Sequence, residues 1–102
     1  SSHVVTILRT IHSLYTPDFK IISVVIPPNG VAVGETIESL RIPRDLLRGL
    51  PMPKRCRIPA ILRKNDIIFP EENTVFEAED QVFVMGLTSE VEAVVNLFRS
   101  VE

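Results

Sequence analysis

Five segments of this 102-residue chain are apolar with almost no interruption: Ile21-Ile22, Val24-Val25-Ile26, Ile61-Leu62, Ile67-Ile68-Phe69 and Val82-Phe83-Val84-Met85. Their β-branched and aromatic residues favour strands. A strand that packs on one face and meets water on the other alternates apolar and polar residues. These segments do not alternate, so both faces of the sheet they build need cover. A chain of this length makes one domain around one core, and two helices can cover only one face of so small a sheet. The opposite face is expected to meet a second copy of the chain or another domain.

The remaining pattern sets the element order. Val4, Ile7, Leu8, Ile11 and Leu14 or Tyr15 recur at helical spacing over 3–15, and Pro17 ends that helix while biasing Thr16 to an extended shape. Residues 20–26 form a strand closed by Pro27-Pro28-Asn29-Gly30. A short helix is expected over 33–43, with Ile37 and Leu40 facing inward and Pro43 at its end. Prolines and Gly49 leave 44–54 irregular, with at most one helical turn around Asp45-Leu46-Leu47. A second strand spans 56–63, where Pro59 marks an edge or a bulge. The turn Lys64-Asn65-Asp66 leads into a third strand, Asn and Asp tolerating the positive φ of tight turns. A short extended piece, Thr74-Val75-Phe76, and an acidic turn, Glu77 to Asp80, come before a fourth strand from Gln81 to Met85. Thr88 or Ser89 then caps a final helix with Val91, Val94, Val95 and Phe98 on one stripe. The order predicts an α+β fold, a small, mostly antiparallel four-stranded sheet with helices on one face and a dimer partner on the other.

Charge is divided along the chain. From Arg41 to Lys64 there are eight basic side chains and one acid, Asp45; from Asp66 to Glu102 there are nine acids and one base, Arg99. The net charge of −2 conceals this split. A basic block is a candidate anion site and an acidic half a candidate partner surface. Arginine offers paired N–H donors to phosphate, and a two-fold dimer presents two copies of Arg41 and Arg44 to a two-fold symmetric ligand. Ile26, Val33, Ile58 and Ile61 are the apolar residues expected beside them, against the bases of such a ligand.

Several function classes find no support. No apolar run approaches the roughly 20 residues that span a bilayer, and no signal or lipidation motif is visible. Walker, nucleophile-elbow and GxGxxG patterns are absent, as is any Ser-His-Asp order, which points away from an enzyme. Aromatic residues do not interleave with the basic run, so a nucleic-acid stacking platform is not expected. His3 and His12 stand nine apart without cysteine partners, which argues against zinc. Glu71-Glu72 and Glu77, Glu79, Asp80 carry oxygen ligands but not the spacing of a calcium loop. Cys56 is the only cysteine, so no internal disulfide forms; Lys54, Arg55 and Arg57 beside it favour a thiolate, whereas the simpler expectation is a small strand residue.

Four pieces of the sequence, in order and register, resemble a known family. They are Gly34-Glu35-Thr36-Ile37-Glu38-Ser39-Leu40-Arg41-Ile42-Pro43; Ala60-Ile61-Leu62-Arg63; Ile67-Ile68-Phe69-Pro70; and Asn73 through Gly86. Together they are similar to the RCK C-terminal domain, also called the TrkA-C domain, across roughly residues 20–100. The chain departs from that pattern between Pro43 and Ala60, where it has several extra residues, and at Glu79, where the family often has glycine before the aspartate.

The resemblance implies a dimeric cytoplasmic regulatory module of a potassium channel or transporter, peripheral or tethered to the membrane through the full-length protein. It also implies an upstream nucleotide-binding domain, with residues 1–18 as the connector helix and 19–102 as the regulatory domain. Some relatives bind a small regulator between subunits, cyclic di-AMP in certain bacterial cases, so this or another small anionic regulator is the ligand implied for Arg41 and Arg44. The alternative is a dimerisation and interaction module that binds no ligand.

Overall fold

The computed structural model describes residues 2–15, 18–43 and 51–102. Its elements follow the expected order: α1 (Ser2–Tyr15), β1 (Phe19–Val25), α2 (Ile37–Leu40), β2 (Arg57–Arg63), β3 (Asp66–Ile68), β4 (Gln81–Leu87) and α3 (Thr88–Arg99). The sheet is antiparallel throughout, in the order β1-β4-β2-β3. The last strand in sequence is therefore an inner strand, which is why Val82 and Val84 are wholly buried.

Register decides which residues share a face. Ile22 lies opposite Val84, and Val24 opposite Val82, which also faces Ile61 on β2 and through it Ile68 on β3. This row is the inner face, and α3 covers it with Val91, Val94, Val95, Leu97 and Phe98. The helical period puts these five residues on one side of α3. Phe98 meets Phe76 edge-on, with centroids 5.0 Å apart and rings at 74°, a geometry that the ring quadrupoles favour.

The loops close the core at one end. α2 is a single turn, shorter than the 33–43 span expected, because only Thr36 to Ser39 supply a capping box: Ser39 N donates to Thr36 Oγ1 and Thr36 N donates to Ser39 Oγ. Ile37 and Leu40 are its buried residues, as their spacing predicts. Phe76 is held by two backbone bonds, Phe76 N to Glu35 O and Gly34 N to Phe76 O, and Thr36 pairs with Val75 in an isolated bridge.

One local expectation is met and two need correction. Of the two places expected for Pro59, an edge or a bulge, the structure takes the bulge: the register of β2 on β4 shifts between Arg57 and Ala60, within an inner strand. β3 pairs only with Ile61, Leu62 and Arg63, so the proline half of β2 has no strand neighbour on that side, where a residue without an N–H is tolerated. In the two-residue turn between Arg63 and Asp66, the positive φ falls on Lys64 (56°), not on Asn65. The cap of α3 is Leu87, which makes no side-chain cap bond. β4 runs straight into α3, and Thr88 uses both its N–H and its hydroxyl to donate to the Asp18 carbonyl.

Candidate functional site

The outer face of the sheet is the surface that most needs explanation. The rows Ile21–Met85–Arg57, Ser23–Phe83–Ala60 and Val25–Gln81–Leu62–Ile67 lie on it, and Arg57, at the start of β2, is the one charged residue among them. Ile21 is 57% exposed and Ile67 66%, and Phe69, one residue beyond β3, is 78% exposed. Ile21, Pro59, Ala60, Leu62, Ile67 and Phe83 line a groove of about 360 Å³ on this face, and every exposed atom of its wall is apolar. The bulge at Pro59 and the small side chain of Ala60 lie in the groove wall, between larger neighbours. Val4, Ile7 and Leu8 on α1 are exposed as well.

The divided charge is answered in part within the molecule. Arg41 pairs with Glu72 (3.1 Å), Arg55 with Glu90 (2.6 Å), and Arg63 with both Glu77 (2.7 Å) and Asp80 (2.8 Å). The basic stretch and the acidic half thus meet each other across the fold. Arg41 is three-fold engaged: besides Glu72 it donates to the carbonyls of Pro53 and Cys56. It fastens the segment before β2 to α2, a job supported by Met52 N donating to Leu40 O.

Arg41, Lys54, Arg57 and Glu72 together line an open cleft of about 440 Å³. Lys54 and Arg57 are exposed there, and Arg57 donates to the carbonyls of Lys54 and Cys56. Arg44, the other expected phosphate contact, lies outside the described residues, as does the turn expected around Asp45. Of the apolar residues expected beside them, Ile26, Ile58 and Ile61 are buried in the common core, whereas Val33 is exposed. The structure therefore puts three of these four side chains among their own neighbours.

Asp80 is the one buried charged residue of the described chain, 1% exposed. Arg63 grips it in a fork, Nε to Oδ1 and Nη2 to Oδ2, each 2.8 Å, and donates to Val75 O as well. Glu77 N donates to Asp80 Oδ2. The hydrogen bond to Asp80 holds the Arg63 guanidinium above its ordinary pKa. The backbone joins in: Ile26 N donates to Asp80 O, and Glu79 N to Ile26 O. This corner ties the end of β1 to the end of β2 through the turn before β4. The sequence places Asp80 in an acidic turn and among possible oxygen ligands; its burial against Arg63, 17 residues away, has no local signal.

Cys56 is fully buried and sits one residue before β2. Burial pushes its thiol above the ordinary value and Glu90 adds to the rise, outweighing the pull of Arg41, Arg55 and Arg57 in the other direction. The basic neighbours in sequence do not make it a thiolate. Among the described residues no group of three or more His, Cys, Asp or Glu is placed to share a metal ion, and no helix is long and apolar enough to cross a membrane.

Comparison with known proteins gives this architecture its relatives. The family model of the TrkA-C domain matches residues 21–99. A Trk system potassium uptake protein TrkA homolog from Archaeoglobus fulgidus is 35% identical over 71 residues, covering 69% of this chain and 16% of the relative. The K(+)/H(+) antiporter NhaP2 of Shewanella oneidensis is 40% identical over 52 residues, which is 51% of this chain and 9% of that protein. The chain thus spans only a small fraction of the length of these relatives.

Proposed function

This chain belongs to the TrkA-C domain family, and on that premise we propose that it is the dimer-forming regulatory domain of a potassium transport or channel system. The apolar outer sheet face, charged only at its margin by Arg57, is the observation that carries the reading. A monomer seldom leaves so many large apolar side chains in water over one continuous patch. A second copy, applied by a two-fold axis, would cover Ile21, Val25 and Ile67 with their own equivalents. The potassium-uptake and potassium/proton antiporter relatives support the setting.

In this reading the domain works in the cytoplasm by population shift and not by catalysis. Two arrangements of the paired domains differ in energy, and an effector acts only through its unequal affinity for them. Residues 1–18 carry the difference to an upstream nucleotide-binding domain, and from there to a membrane partner. A small anionic effector such as cyclic di-AMP is a second reading, supported by the exposed Lys54 and Arg57 beside Arg41.

The test pairs sedimentation equilibrium with potassium uptake by cells that carry the full-length protein. The wild-type domain should be dimeric at micromolar concentration. Ile67→Lys should make it monomeric with unchanged circular dichroism, and in the full chain it should uncouple uptake from its regulation. A wild-type monomer at 100 µM sinks the reading. Thermal shift with cyclic di-AMP and with inorganic phosphate, on wild type and on Lys54→Ala/Arg57→Ala, checks the effector.

A further inference from the structure

We propose that Phe69 of each copy inserts into the outer groove of the other, so that each groove is completed only by its partner; this rests on the dimer reading above. Phe69 is the most exposed large apolar side chain among the described residues and the only aromatic one so exposed. It follows β3 directly, two residues beyond Ile67, which is itself on the groove wall. In β3 the side chains alternate, with Ile67 outward and Ile68 against the core, and continuing that alternation carries Phe69 to the outer side. The chain therefore presents a projecting ring and an apolar recess on the same side of one sheet, the pairing that a two-fold interface requires.

The recess selects for this occupant in two ways. Its wall exposes no polar atom, so it offers nothing to orient a polar ligand and favours a side chain that brings only carbon. The groove walls carry no charge, and Arg57, at the margin of the face where β2 begins, is the one charged residue of the surrounding rows, so a second copy centred on the groove meets no like charge there.

The area is also adequate. Three strands of seven residues and one of three, at about 3.3 Å per residue and about 4.8 Å between strands, give a face of about 380 Å² in projection and more in accessible surface. An inserted aromatic ring adds on the order of 150–200 Å². Together these approach the roughly 800 Å² per partner of a stable interface. A buried aromatic anchor in a central pocket is the usual energetic centre of such contacts.

Sedimentation equilibrium on the single variants and on their mixture tests the proposal. Phe69→Ala, which removes an exposed side chain, should keep the unfolding temperature of the isolated fold and weaken dimerisation by about 30-fold. Ile21→Trp, which fills the groove mouth from an exposed position, should weaken it comparably. An equimolar mixture of the two should associate more tightly than either alone, because the intact Phe69 of one then meets the open groove of the other. If the wild type is a dimer and Phe69→Ala leaves its dissociation constant within threefold, the insertion is wrong while the dimer stands. If Ile7→Asp/Leu8→Asp abolishes association and Phe69→Ala does not, α1 of the second copy is the occupant. A wild-type monomer removes both the dimer and the insertion.

Discussion

Arg63 and Asp80 are joined by two parallel hydrogen bonds of 2.8 Å, with the carboxylate almost wholly buried and the guanidinium partly in water. The pair spans 17 residues of sequence and closes the corner where β1, β2 and the turn before β4 converge.

Removing the arginine leaves a buried carboxylate without its counter-charge. Arg63→Ala should destabilise the domain by about 3 kcal/mol, measured by urea unfolding. Arg63→Lys should recover only part of the loss, because an ammonium cannot present the two-pronged fork. Glu77→Gln, whose partner is at the surface, should cost less than about 1 kcal/mol.

Glu79 has φ of 70°, in the left-handed region that side chains with a Cβ resist. Glu79→Gly should raise stability by up to about 1 kcal/mol, the relief of strain being offset in part by the greater freedom of the unfolded glycine. Glu79→Ala keeps the Cβ and should give no gain. Thermal unfolding of the three proteins separates the outcomes.

Arg41 bonds to two backbone carbonyls as well as to Glu72. Arg41→Ala should cost about 2 kcal/mol, since buried acceptors lose a charged donor, and should speed amide exchange at Met52. Glu72→Gln leaves those carbonyl bonds in place and should cost only a few tenths of a kcal/mol.

The Cys56 thiol has its pKa raised by burial in the folded state. The unfolded thiol, near about 8.5, ionises first as pH rises. Stability from this group is therefore whole below the unfolded value and declines as pH climbs past it toward the folded value. Cys56→Ala should flatten that alkaline decline in urea midpoints. Thiol reagents at pH 8 should label the native protein slowly and the unfolded protein fast.

The element order, the inward stripe of α3 and the inward pair Ile37 and Leu40 were legible because each rests on periodicity within a few residues. The two-sided apolar character of the strands was legible too, since in β4 Val82 and Val84 face the core while Phe83 and Met85 lie on the other side. Local sequence is silent where tertiary contacts decide. The ion pairs of the basic stretch have no local signal, because Arg41, Arg55 and Arg63 meet acids 31, 35 and 17 residues away. Cys56, expected as a small strand residue, is buried one residue before β2, and that burial outweighs the basic neighbours that would favour a thiolate. The groove was hidden for the same reason: Ala60, Ile21 and Phe83 become neighbours only through the pairing of β1, β4 and β2.

The double attachment of Thr88 to the Asp18 carbonyl has a mechanical meaning. The peptide that leads into β1 is also the anchor of the first turn of α3, so a tug applied upstream of residue 18 reaches that helix directly, without first being relayed across the strands. The helix that roofs the core and the segment that would report to the rest of a longer protein share one fastening.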